Sequence, residues 1–215
     1  MEHNFWHSRW LEGRIGFHQA EFNVYMMAHW SALNSVDGQV FVPLCGRSRD
    51  LLWLRERSKA VLGVELSEKA CSEFFLEQSA QAERSEEGDF TSFEADKIRL
   101  LCGDLFNLTA DQVMQVVAVY DRAALIALPP LMRQAYAAHL CAILPSGVSM
   151  LLIVLEFDGE EGPPFSVSEA EVELLYSARF DIRLLHVAIL SEGKDKGRRE
   201  KVYQLLDRNG VIASA

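Results

Sequence analysis

A chain of 215 residues, 49% of them hydrophobic, can bury one sizeable core and is read as a single domain over residues 1–215. Its 31 acidic against 21 basic side chains leave a net charge of -10, which repels a phosphate backbone and argues against any nucleic-acid partner. The first ten residues alternate polar and aromatic side chains and no apolar run approaches bilayer length, so neither an export signal nor membrane association is expected, and the chain is assigned to the cytoplasm.

Residues 4–19 (NFWHSRWLEGRIGFHQ) concentrate Phe5, Trp6, Trp10 and Phe17. Aromatic side chains require cover, and two arrangements supply it: a lid over a binding crevice, whose π-faces suit a sulfonium cation or a flat heterocycle, or a structural helix packed on a sheet edge. A helix over 17–33 would complete this arm as residues 1–35, leaving 36–208 as the core. From residue 39, apolar β-type runs alternate with stretches of helical period. The runs are 39–44 (QVFVPL), 60–65 (AVLGVE), 98–102 (IRLLC), 116–121 (VVAVYD), 148–155 (VSMLLIVL), 182–189 and 201–206. Helices are expected at 48–58, 67–81, 130–144 and 168–180. Two have readable starts: Ser67 precedes Glu68, and Ser168 precedes Glu171 at the capping-box spacing. Most of the seven runs are continuously apolar, as in strands covered on both faces, and a doubly wound α/β sandwich with a mostly parallel sheet follows. Residues 82–96 (AERSEEGDFTSFEAD) break the alternation, and their charge reads as a solvated, mobile excursion. Residues 209–215 read as a frayed tail.

Ligands of open α/β sheets bind beyond the carboxyl ends of the strands. The first run ends in Pro43-Leu44-Cys45-Gly46, where Gly46 permits a tight turn close to a ligand. One glycine is too few to seat a dinucleotide pyrophosphate, whereas S-adenosylmethionine carries no phosphate. Glu65 ends the second run nineteen residues later, close to the spacing at which an acid receives ribose hydroxyls, although it also suits the N-terminal dipole of the next helix. Asp104, in Cys102-Gly103-Asp104-Leu105, is either an adenine-framing acid or a plain loop acid. Asp121-Arg122 ends the fourth run as a charged pair over the crevice or as a structural ion pair, with Asp121 a secondary candidate for accepting a proton. Cys45, Cys71, Cys102 and Cys141 show no metal-ligand spacing, so no metal is expected and the thiols read as small buried hydrophobes.

The order Trp6-x3-Trp10-x6-Phe17-His18-Gln19, then Val42-Pro43-Leu44-Cys45-Gly46, Gly63-Val64-Glu65-Leu66-Ser67, Asp121-Arg122-x-Ala124-Leu125 and Gly162-Pro163-Pro164-Phe165 resembles the thiopurine S-methyltransferase family along almost the whole chain. The resemblance implies a class I S-adenosylmethionine-dependent methyltransferase fold with seven strands, the last antiparallel. It implies cofactor contacts at Trp10, Leu44, Glu65, Asp104, Leu105 and Arg122, with Trp6 nearby and Phe17 toward the substrate. The implied activity is methylation of a small aromatic or heterocyclic thiol by a monomer, yielding S-adenosylhomocysteine, with Arg122 favouring a thiolate. Selenium or tellurium species are the alternative acceptors, with a role in tellurite resistance. The segment 191–199 (SEGKDKGRR) is shorter than in the animal enzymes and lacks a clear counterpart to a substrate-side arginine.

Overall fold

All seven apolar runs form strands of one sheet in the computed structural model, which describes residues 6, 8–10, 12, 19–33, 37–159, 162–191 and 196–210. In chain order the strands are β1 (Gln39–Pro43), β2 (Ala60–Glu65), β3 (Glu83–Glu87), β4 (Phe90–Ala95), β5 (Ile98–Cys102), β6 (Val116–Arg122), β7 (Ser149–Glu156), β8 (Phe180–Ile189) and β9 (Arg199–Asp207). They lie side by side as β3-β4-β5-β2-β1-β6-β7-β9-β8. The five central strands β5, β2, β1, β6 and β7 are parallel, and β9 inserts antiparallel between β7 and β8. Chain order reverses at β1, which places a crevice between the outgoing connections of β1 and β6.

The sheet separates two cores because successive side chains along a strand point to opposite faces. On β7, Met150, Leu152 and Val154 meet Tyr136, Ala137 and Leu140 of α5 (Pro130–Ile143) and Val172 and Tyr176 of α6 (Glu169–Tyr176). Leu151 and Ile153 instead face the side built by α1 (Val24–His29), α2 (Asp50–Arg55) and α3 (Glu68–Glu77), with Met26, Leu51, Leu54 and Phe74. A short α4 (Ala110–Val113) leads into β6. Each fully buried Leu or Phe is worth about 1.5–3 kcal/mol, so both layers are needed.

Local chemistry sets most boundaries, and where it departs from expectation the reason is visible. Ser67 caps α3 by accepting from the Ala70 amide at 3.4 Å, and Ser168 caps α6 by accepting from Glu171 N at 3.2 Å. Glu171 does not close the capping box, because its carboxylate is drawn to Arg133 at 2.9 Å. The helix expected over 17–33 is shorter: Asn23 accepts from the amides of Tyr25 and Met26 at 3.0 and 2.9 Å and starts α1 there. The solvated excursion expected at 82–96 is instead the hairpin β3–β4, which brings the sheet to nine strands. Its charges lie on the exposed edge strand β3, while Phe90 and Phe93 of β4 enter the cores on opposite faces. Charge and apolar anchors alternate between its two strands, which disguises them in a linear reading. Cys45 and Cys71 are buried and Cys102 and Cys141 half-buried, all as free thiols. Most of the expected frayed tail, from residue 211, lies outside the described residues.

Candidate functional site

The pocket lies across the carboxyl ends of the parallel strands. One end is lined by Leu44, Glu65, Leu66, Asp104, Leu105 and Phe106, from the connections after β1, β2 and β5. The backbone there is bent to fit: Leu44 has φ 46° and Gly46 φ 56°. A left-handed conformation at a leucine costs of order 1 kcal/mol and persists only where surroundings enforce it. Glu65 does the enforcing. Its Oε2 accepts from the Gly46 amide at 2.9 Å and its Oε1 from the Ser67 amide at 2.8 Å, tying the turn after β1 to the start of α3. Only 6% of Glu65 is exposed, and burial pushes its carboxyl up to about 7, against the lowering effect of those amides and of the Trp10 indole. The Gly46 and Ser67 amides and the Trp10 indole take up most of the about four acceptor positions of the carboxylate, so what remains toward the pocket is an acceptor for at most one hydroxyl, as on a ribose. The two roles open to Glu65 are therefore compatible: it orders the helix start and faces the pocket.

Asp104 is divided in the same way. Its Oδ1 accepts from the Phe106 amide at 3.0 Å and starts the turn Leu105–Asn107, while the residue lines the pocket beside Leu105. Trp10 is 3% exposed. Its carbonyl accepts from Lys69 Nζ at 3.2 Å, and its indole hydrogen-bonds Glu65, so this part of the arm packs against the pocket and α3. Trp6 and Arg9 line the same wall. Phe17, expected toward the substrate, lies outside the described residues.

Arg122 ends β6 and lines the middle of the pocket, followed by Ala123 with φ 66°. Asp121, its neighbour, does not reach the pocket: it is fully buried, with Oδ2 accepting from Tyr136 Oη at 2.7 Å and Oδ1 from the Leu125 amide at 3.2 Å. Burial pushes its carboxyl up to about 6. Tyr136, not Asp121, reaches the lining. The far end is apolar, with Ile126, Leu128, Met132, Leu155, Pro163 and Pro164, and adds one carboxylate, Glu200. At Gly162 a Cβ would meet the Phe165 ring at 2.4 Å, so the approach to the two prolines needs glycine. The residues singled out in the sequence, Trp10, Leu44, Glu65, Asp104, Leu105 and Arg122, all line this one pocket. Sequence reasoning missed Arg9, Met132 and Glu200; Glu200 sits just before the run read as 201–206, and only the longer β9 reveals it as a strand-end residue.

The lining is compatible with S-adenosylmethionine: it holds the Glu65 carboxylate as a hydroxyl acceptor and the apolar Leu44 and Leu105 near it, and among the described residues there is no cluster of groups able to hold a metal. Nor is any described helix long and apolar enough to cross a membrane. A search of solved structures finds a Burkholderia thailandensis 1,6-didemethyltoxoflavin-N1-methyltransferase, crystallised with bound 1,6-didemethyltoxoflavin and S-adenosylhomocysteine. It matches at a TM-score of 0.65 and 17% identity, covering 95% of this chain and 86% of that one, a likeness of fold. Curated relatives are far nearer in sequence. A thiopurine S-methyltransferase of Pseudomonas fluorescens (strain Pf0-1) is 51% identical over 188 residues, 86% of each chain, and one of Nitrosospira multiformis is 50% identical with the same coverage. The family model for thiopurine S-methyltransferase matches residues 1–209, and the chain belongs to that family of S-adenosylmethionine-dependent methyltransferases.

Proposed function

We propose that the protein S-methylates small aromatic or heterocyclic thiols of the thiopurine type. The observation that carries this reading is the contrast along the pocket: a polar, carboxylate-centred end at β1, β2 and β5, and an apolar end built by Ile126, Leu128, Met132, Leu155, Pro163 and Pro164 with the Arg122 guanidinium between them. In this account Glu65 holds the ribose of S-adenosylmethionine, Leu44, Asp104 and Leu105 flank its adenine, and Trp10 covers it. The cofactor supplies an electrophilic methyl group, so the chain's own task is to orient the acceptor and exclude water. The apolar end desolvates a flat ring, and Arg122 holds the sulfur as thiolate, a form that heteroaryl thiols yield near neutral pH. Asp121, sealed behind Tyr136, need not act as a base. Trp6, Arg9 and Trp10 bring the N-terminal arm over the pocket as its lid, and the enzyme works in the cytosol as a monomer.

Methylation of selenium or tellurium oxyanions is the second reading. It is favoured by one observation, that Arg9 and Arg122 both line the pocket and suit an anionic acceptor. A panel of heteroaryl thiols, selenite and tellurite, assayed with methyl-labelled cofactor, separates the two. The expected result is transfer to the thiols at least tenfold faster than to either oxyanion; the reverse order would transfer the assignment to metalloid detoxification.

A further inference from the structure

Methyl transfer to a thiolate requires no carboxylate at the apolar end, yet Glu200 stands there. Glu200 is the second residue of β9. Because β9 runs antiparallel to β7, its first residues lie level with the carboxyl ends of the parallel strands: Glu200 pairs with Leu155, Val202 with Ile153, and Ile153 in turn with Arg122. Val202, Ile153 and Tyr120 share one core, so by the two-residue period Glu200 and Arg122 rise from the same face of the sheet. Two strand spacings and one pleat separate their backbones by about 12 Å, the room needed for one flat ring between two long side chains. The electrostatics agree: burial and the hydrogen-bonded Asp50 push the Tyr120 phenol up most, but it also feels Arg122, which draws it down, and Glu200, which adds to the rise; at Tyr25 on α1 Glu200 adds to the effect of burial. Opposite charges thus stand on either side of Ile153, which lines the pocket with them.

We infer that Glu200 is a specificity-determining residue, which accepts a hydrogen bond from an N–H edge of a heterocyclic thiol whose sulfur lies toward Arg122, and which repels oxyanions. The inference rests on the proposed S-methylation of heterocyclic thiols and defines the polarity that the acceptor presents: electron-rich sulfur at one end, donor edge at the other. A carboxylate here also offsets Arg9 and Arg122, so that cationic lining alone does not select any small anion.

Two aromatic thiols, 2-mercaptobenzimidazole with N–H donors and the smaller thiophenol without, each compared between wild type and variants, distinguish this role from mere packing, with selenite as the oxyanion. Affinities are measured by calorimetry on protein loaded with S-adenosylhomocysteine, and kcat/KM by methyl transfer, for wild type, Glu200→Gln and Glu200→Leu. Loss of a charge-assisted hydrogen bond should weaken 2-mercaptobenzimidazole about tenfold in Glu200→Gln and up to about a hundredfold in Glu200→Leu. Thiophenol should change by less than about twofold, the size of ordinary surface substitutions, and selenite should bind more tightly in both variants. Parallel loss on both thiols, or no loss on either, overturns the inference while leaving the thiol assignment intact. A wild type that prefers selenite to both thiols overturns the assignment itself. Glu200→Gln preserves shape and carries the test alone if the leucine variant does not fold.

Discussion

At the ends of β1, β2 and β5 the pocket is formed by backbone and two carboxylates: Leu44 and Gly46 in left-handed turns, Glu65 holding the Gly46 and Ser67 amides at 2.9 and 2.8 Å, and Asp104 holding the Phe106 amide at 3.0 Å. At the ends of β6, β7 and β9 it is formed by side chains from five separate stretches, Arg122, Met132, Leu155, Pro163 with Pro164, and Glu200. The first half is preorganised around a single ligand shape, because a backbone turn pinned by a buried acid cannot readily adapt. The second can change acceptor by exchanging one side chain without disturbing the sheet. A methyltransferase needs this division, since its methyl donor is constant and its acceptors are what evolution varies.

The comparison breaks most visibly at Arg122, where the halves meet. Arg122→Ala should lower kcat/KM for a heteroaryl thiol about a hundredfold, the loss of a charge-assisted contact, with affinity for S-adenosylhomocysteine changed much less. Arg122→Lys should recover part of the rate, since charge remains but the planar fork does not. Equal losses in cofactor affinity and rate would place Arg122 wholly in the cofactor half.

A smaller effect follows from pH. The Glu65 carboxyl is raised to about 7 by burial, so ionising it costs folding energy: its contribution to stability is greatest when protonated at low pH and is lost as pH rises through about 7. A ribose hydroxyl donates to the ionised form and favours it. Affinity for S-adenosylhomocysteine should therefore rise about tenfold between pH 6 and 8 and then level, the course of a single ionisation near 7, with proton release on binding visible as a buffer-dependent heat. Affinity independent of pH over this range would mean that the carboxylate does not receive the ligand.

Trp10→Phe sharpens the comparison further, because it keeps aromatic cover and removes only the indole donor to Glu65. About fivefold weaker cofactor binding is expected, near 1 kcal/mol for one hydrogen bond, with acceptor KM unchanged. Deleting residues 1–12 removes cover as well and should cost rate and stability together, since Trp10 is 3% exposed and binds both Glu65 and Lys69. The smallest effect on the site belongs to the hairpin. Phe93→Ala, on the face away from Phe90, should lower stability by about 3 kcal/mol while leaving cofactor affinity and turnover within about twofold, as checked by thermal melts beside the transfer assay.

How much of this was legible follows the same division. Runs of apolar residues ending in Leu44, Glu65, Cys102 and Asp121 marked the parallel strands and their carboxyl ends directly, because buried parallel strands carry little else. Leu44, Glu65, Asp104 and Leu105, expected to hold the cofactor, could be read because they sit at or just after the ends of such runs. The hairpin β3–β4 was concealed since its exposed strand holds Glu83, Arg84, Glu86 and Glu87 and its buried partner only Phe90 and Phe93 as large anchors. Glu200 was concealed for a different reason: its place in the pocket depends on β9 running antiparallel, a property of topology and not of local pattern.

The most direct measurement of the central claim, that a buried carboxylate at the end of β2 holds the cofactor, is calorimetric titration of S-adenosylhomocysteine into wild type and Glu65→Gln at pH 8 in the presence of a chelator. Gln preserves shape and one acceptor oxygen but replaces the second with an amide donor, so acceptor capacity and charge are lost together. Wild type should bind one equivalent without metal, and the variant at least about tenfold more weakly, with a melting temperature lowered as the Gly46 and Ser67 contacts weaken. Equal affinity in the two proteins, or binding in wild type abolished by the chelator, would contradict the account.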